Sequence, residues 1–139
     1  MKKYDGKTFT DDPIKGIRKL HHIIKLPKNL ILCFKRFEKN IFFVEKNNTI
    51  VNFPIKNLSF EECCEEKTIN RHLKYDLLAN VIHDGKPEGG CFRVQVKNKA
   101  MDQWFDIQDL NVTPIMAQSV VVSESYIHAY ESQSISENI

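Results

Sequence analysis

No stretch of the 139 residues approaches the roughly 20 apolar positions needed to span a bilayer, so no membrane is expected among the partners. The opening residues, Met1-Lys2-Lys3-Tyr4-Asp5-Gly6, lack the apolar core of a secretory leader. The four cysteines, Cys33, Cys63, Cys64 and Cys91, contain no Cys-x-x-Cys pair. Reduced thiols in the cytosol or nucleus are the expectation. Neither repeats nor low-complexity tracts occur. The adjacent pairs His21-His22 and Cys63-Cys64 would point to opposite faces of a strand, so no metal site is expected. Gly89-Gly90 lacks the strand-Gly-x-Gly-helix setting of a phosphate cradle and reads as a tight loop. No cofactor is expected.

What is present is enough apolar residue, 42%, for one modest domain with a real core. The net charge of +2 hides an asymmetry: residues 1–56 carry thirteen Lys/Arg against five Asp/Glu, and residues 57–139 carry seven against thirteen. A basic surface of this kind can face RNA or an acidic protein. The lysines are scattered without an aromatic platform for stacking bases, which favours a solvated face and leaves direct RNA contact weakly supported.

The pattern along the chain predicts a mostly antiparallel β domain with one short helix. Residues 1–16 read as loop and Ile17 to Lys25 as a mixed, strand-like segment. Leu30 to Phe37 is a short, nearly continuous apolar run and reads as a buried strand. Glu38-Lys39-Asn40 reads as a turn, with Ile41 to Val44 returning as the hairpin partner. Thr49 to Phe53 reads as extended, ended by Pro54. Ser59, with Glu62 three residues on, reads as the capping box of a short helix through Glu66, followed by a linker to Lys74. Tyr75 to His83 is predicted as a strand, and Asp84 to Gly90 as a loop rich in breakers. Val112-Thr113-Pro114 reads as loop, 115–125 is ambiguous, Tyr126 to Tyr130 is a last strand, and 132–139 is a flexible tail.

Two strands can be read residue by residue. Phe92, Val94 and Val96 alternate with Cys91, Arg93, Gln95 and Lys97, and Phe105 and Ile107 alternate with Trp104, Asp106 and Gln108. Matching apolar face to apolar face pairs Phe92 with Ile107 and Val94 with Phe105. That register sets Cys91 against Gln108 on the polar face, their Cβ atoms about 5 Å apart. Trp104 reads as a packing residue.

Three stretches of this chain resemble ubiquitin-specific proteases. Leu26-Pro27-Lys28-Asn29-Leu30-Ile31-Leu32-Cys33-Phe34-Lys35-Arg36-Phe37 resembles their "LPKxLILHLKRF" strand, and Val51-Asn52-Phe53-Pro54 their "VxFP" turn. Tyr75 to Gly85, then Gly89-Gly90-Cys91-Phe92, then Trp104 to Asp109 follow their histidine box. The resemblance implies an α+β, mostly antiparallel fold: the palm half of a papain-like cysteine protease over residues 26–131. Residues 1–25 would then be the end of a truncated region, and the lobe bearing the cysteine nucleophile would lie outside this chain. A narrower resemblance, over Lys39 to Ile55 and Ala79 to Pro87, is to the inactive ubiquitin-hydrolase-like splicing factors of the snRNP-assembly-defective family.

By that resemblance the catalytic His position is Cys91, and the acidic position that orients the His is Gln108. Asp109 matches the second acidic position and His83 the histidine of "NHYG", neither of which is the base in the family. A thiol of pKa about 8.5 is a poor general base and has no second nitrogen to relay a proton. Losing one triad member costs on the order of 10⁴ in rate. Nothing in sequence activates Cys91 except Arg93 on the same face, so an inert thiol is the expectation. The resemblance implies a nuclear, non-catalytic scaffold in pre-mRNA splicing, with tri-snRNP proteins as partners and ubiquitin as a further candidate. It also implies an N-terminal zinc finger outside this chain. Two other readings stay open: an active deubiquitinase with a rebuilt centre using His83, and a ubiquitin-binding module without hydrolysis.

Overall fold

The computed structural model describes residues 10–12, 17–19 and 22–133. Its frame is a seven-stranded sheet whose longest member is an 11-residue strand over the segment expected as a strand from Tyr75 to His83. Two short strands, β1 (Thr10–Asp12) and β2 (Ile17–Lys19), pair with each other ahead of it. β3 (Ile23–Lys25) is followed by β4 (Asn29–Cys33), β5 (Phe37–Lys39), β6 (Val44–Lys46), β7 (Leu58–Ser59) and β8 (Cys64–Ile69). β9 (Lys74–Asp84), β10 (Cys91–Asn98), β11 (Gln103–Gln108), β12 (Asn111–Ile115) and β13 (Ser125–Ser132) complete the set. The main sheet runs β12-β11-β10-β9-β13-β4, with β7 also on β9, and every pairing in it is antiparallel. Among the described residues the one α-helix, α1 (Ala117–Val120), is a single turn. No described helix is long and apolar enough to cross a membrane.

The mostly antiparallel architecture agrees with expectation, and several local readings are corrected. Thr10–Asp12 is strand rather than loop; the rest of 1–16, and 134–139 of the expected tail, lie outside the described residues. β4 is present, but it is an edge strand with alternate residues open to solvent (Ile31 is 71% exposed) rather than a buried run. The hairpin of β5 and β6 exists, displaced along the chain: its turn is Asn40–Phe43, closed by Asn40 N–H donating to Phe43 O at 2.9 Å. Residues 47–54 make no ladder. The expected helix at 59–66 shrinks to a 3₁₀ turn, Glu61–Cys63, with Glu61 N–H donating to Ser59 Oγ at 3.3 Å. A longer helix would set Glu61 against Glu65 and Glu62 against Glu66, repelling at i,i+4. The chain instead leaves as β8, parallel to β3, where a linker was expected. Val112-Thr113-Pro114 is likewise strand: β12 is the outermost strand, and an edge has a side on which a missing N–H costs nothing.

The core gathers Leu26, Leu73, Tyr75, Leu77, Trp104, Val120 and Tyr130 on one face of the sheet. Tyr75 Oη donates to Pro27 O (2.5 Å) and Tyr130 Oη to Pro54 O (2.9 Å), so each phenol buries its ring and satisfies its hydroxyl on a covering segment. A register shift between Ala129 and Tyr130 lets β9 turn Leu77 and Tyr75 onto this same face.

Candidate functional site

The Cys91 end of the β9–β10–β11 ribbon is assembled by long-range contacts. β10 and β11 pair Val94 with Ile107 and Val96 with Phe105, a slip of two from the expected register. A slip of two preserves the faces, so Cys91 and Gln108 are diagonal neighbours, with Gln108 Nε2 donating to Cys91 Sγ at 3.4 Å. Both are exposed. Asp109 occupies the two-residue turn into β12 with φ 52° and is exposed.

The loop before Cys91 is pinned in place. Lys46 Nζ donates to His83 O (2.6 Å) and Gly85 O (3.2 Å) and pairs with Glu124 (2.7 Å), satisfying all three of its donors. Its side chain is only 4% exposed. Gly85 sits at φ +96°, in the left-handed region where a side chain is strained. A Cβ on Gly90 would overlap the His83 ring, whereas one on Gly89 would meet nothing within 4 Å. The second glycine of the pair, not the first, is therefore required.

Cys91 and His83 stand on opposite faces. The ladder pairs Cys91 with Asp84 and Phe92 with His83. His83 is 4% exposed, with its ring edge-on to Phe37 (5.1 Å) and Phe92 (4.8 Å) and Nδ1 without a partner. On the Cys91 face, Arg93 Nε donates to Asp84 Oδ2 at 2.6 Å and its Nη1 to Asp106, which also accepts from Gln95 Nε2 at 3.2 Å. Burial opposes the Arg93 charge, but the hydrogen bonds and charges of Asp84 and Asp106 outweigh it and hold its pKa above the ordinary value. The cation beside Cys91 is thus bound to carboxylates. Further along this face Asn80 Nδ2 donates to Gln95 Oε1 (3.0 Å) and Ser123 Oγ (2.8 Å). No group of three His, Cys, Asp or Glu among the described residues is placed to hold a metal.

Sequence reasoning brought Cys91 and Gln108 together correctly and missed the scaffold around them. Lys46 was one lysine among many, because its carbonyl partners lie 37 and 39 residues away. Arg36 was only part of a motif. It is 3% exposed and donates to Ser125 O (2.5 Å), Asn47 O (2.7 Å) and Thr49 O (2.8 Å), binding the irregular 47–49 segment to β13.

The family model for ubiquitin carboxyl-terminal hydrolase matches residues 7–130. Human ubiquitin carboxyl-terminal hydrolase 39 is 43% identical over 127 residues, covering 90% of this chain and 22% of that protein. The probable mRNA-splicing protein ubp10 of Schizosaccharomyces pombe is 33% identical over 142 residues, covering 96% of this chain and 28% of that protein. The crystal structure of an essential yeast splicing factor superposes with a TM-score of 0.65 at 28% identity, covering 86% of this chain and 28% of that one. The chain spans less than a third of the length of each of these proteins. With the histidine-box ribbon folded and the family model matched over most of its length, the chain belongs to the ubiquitin carboxyl-terminal hydrolase family.

Proposed function

We propose that this chain is the palm, over residues 26–131, of a non-catalytic ubiquitin-hydrolase-like scaffold that works in pre-mRNA splicing, assembling or stabilising the tri-snRNP in the nucleus. The observation that carries this reading is the Cys91–Gln108 pair, set where the family resemblance puts the base and the residue that orients it. A thiol hydrogen-bonded by an amide has neither the basicity nor the second nitrogen that proton transfer needs. His83 supplies no replacement: it is buried on the opposite face, wedged between Phe37 and Phe92. A docking surface needs shape and hot spots rather than a proton shuttle, so loss of the base leaves it intact. Likeness to an mRNA-splicing protein and to an essential splicing factor supports the setting.

The test is affinity purification of the tagged full-length protein from its native cells, read by mass spectrometry, beside a ubiquitin-fluorophore hydrolysis assay. Tri-snRNP proteins should be enriched and turnover should be absent. Turnover that disappears on His83→Ala would overturn the non-catalytic reading. Ubiquitin conjugates without splicing proteins would replace the scaffold by a ubiquitin-binding module.

A further inference from the structure

Of the five prolines, Pro114 alone follows a hydroxyl residue; the other four come after Asp12, Leu26, Phe53 and Lys86. The resulting Thr113-Pro114 dipeptide is the acceptor pattern of proline-directed protein kinases. Proline after the acceptor lacks an N–H and biases the residue before it toward extended backbone. Extended backbone is the form in which a kinase cleft takes its substrate, and Thr113 already has it as part of β12.

Thr113 also lies where an enzyme can reach it. β12 is the outermost strand of the main sheet and pairs with β11 alone. Asn111, Val112, Thr113 and Pro114 are all exposed, and only Ile115 is half-buried. A strand held by one ladder and few buried side chains belongs to the low end of local stability. It can lift into a cleft while β9, β10 and β13 stay paired.

The neighbouring charges determine what a phosphate does there. Thr113 stands directly opposite Asp106, on the face that carries Cys91 and Arg93. Cβ atoms of opposed residues are about 5 Å apart. Arg93 donates to Asp106 and, at 2.6 Å, to Asp84, so one cation already serves two carboxylates. A phosphothreonine adds about −1.5 to −2 charges at pH 7. Like charges directly opposite on adjacent strands repel.

We propose that Thr113 is the acceptor of a proline-directed serine/threonine kinase, and that its phosphate loosens β12 from β11. In the transfer, Thr113 Oγ1 attacks the γ-phosphorus of ATP and the Oγ1–P bond forms. The bond from that phosphorus to the β,γ-bridging oxygen breaks, ADP leaves with the electron pair, and the hydroxyl proton passes to the kinase's base. The inference stands apart from the splicing reading and holds for a scaffold or a hydrolase alike.

The experiment maps phosphate on the full-length protein recovered from its native cells with phosphatase inhibitors. The folded, dephosphorylated protein is then treated with ATP and a proline-directed kinase of the mitogen-activated class. Phosphate is expected on Thr113 in both. Pro114→Ala, which keeps the hydroxyl, should slow labelling of Thr113 by about tenfold or more. In the phosphorylated protein, amide exchange over 111–115 should quicken by about tenfold while β9 and β10 stay unchanged. Absence of phosphate on Thr113 from cells, labelling only after denaturation, or equal labelling of Pro114→Ala would overturn the acceptor site. Unchanged exchange over 111–115 in the phosphorylated protein would overturn the loosening.

Discussion

The two faces of the β9–β10–β11 ribbon are opposite in chemistry, and the more polar one is inside. The inward face carries Asn80, Gln95, Arg93 and Asp106 beside Ile82 and Trp104, and Asn80, Gln95, Ile82 and Trp104 are buried. The outward face carries Phe92, Val94, Val96, Phe105, Ile107 and Val112, with Phe92 56% and Val112 58% exposed. Alternation establishes that a strand has two faces and which residues share each. It does not establish which face the rest of the chain covers. Here Leu26, the 53–60 stretch and the 115–123 stretch fall on the face where hydrogen bonds tie Asn80 to Gln95 and Ser123. A buried polar network is tolerated when its members find partners.

Substitution across the ribbon breaks this comparison most sharply. Trp104 is 4% exposed in the core, while its neighbour Phe105 points outward and is half-buried. Trp104→Ala should cost about 3–5 kcal/mol in urea denaturation, the usual range for emptying an aromatic site. Phe105→Ala should cost under about 1.5 kcal/mol, since its ring already meets water on one side. A larger loss at Phe105 than at Trp104 would mean that the faces are assigned the wrong way round.

The second largest effect belongs to His128, inward on β13. It is fully buried among Phe34 (4.7 Å), Phe53 (4.0 Å) and Tyr130 (5.7 Å), and neither ring nitrogen has a partner. Burial, reinforced by the Arg36 charge, lowers its pKa from 6.5 to about 4. Above pH 6.5 the ring is neutral in both folded and unfolded chains, and pH has no leverage through it. Between 6.5 and about 4 the unfolded chain takes a proton that the folded one refuses, so stability falls as pH falls. The loss should approach about 3 kcal/mol. Unfolding measured at pH 7 and pH 4.5 should show most of it, and His128→Phe should remove this component. An unchanged pH slope in His128→Phe would place the acid sensitivity elsewhere.

Legibility followed the range of the interactions. β9, β10 and β11 were readable because period-two alternation is a local signal, and it also placed Cys91 beside Gln108. The register was two off because matching faces cannot distinguish slips of two; the turn decides. Here Asn98 pairs with Gln103, Met101 N–H donates to Asn98 Oδ1 (3.1 Å) and Asp102 adopts φ 50°, which sets the turn length. β12 was hidden by Pro114, a breaker in a central strand and harmless on an edge. β8 was hidden by an acidic run that mimicked a capped helix. Lys46 and Arg36, which hold the candidate site together, were illegible because their partners lie 11 to 89 residues away and are mostly backbone carbonyls. Any residue type supplies a carbonyl, so no pattern of side chains records such contacts.

The Gly89-Gly90 pair offers a finer comparison within one loop. Gly90→Ala forces a methyl into the His83 ring and the Asp84 carbonyl, and should destabilise by about 1–3 kcal/mol, as overpacking does. Gly89→Ala meets open space and should lie within about 0.5 kcal/mol of wild type. Equal effects of the two in the same denaturation series would remove the steric reason given for the second glycine.

The smallest effect is expected at Cys91 itself. Its thiol is exposed and has one partner among the described residues, a 3.4 Å contact from Gln108, which is exposed too. Sulfur is a weak acceptor, and an exposed contact of this kind competes with water. Cys91→Ser keeps the size and offers a better acceptor, so unfolding should move by less than about 0.5 kcal/mol. Arg93, one pleat along on the same face, is bound to two carboxylates and carries the structural load at this end of the ribbon. A loss above about 1 kcal/mol on Cys91→Ser would show that the thiol is a packing element of the strand end rather than a bystander. It would also mean that the surface left where the family resemblance puts a base is held together by different contacts from those described.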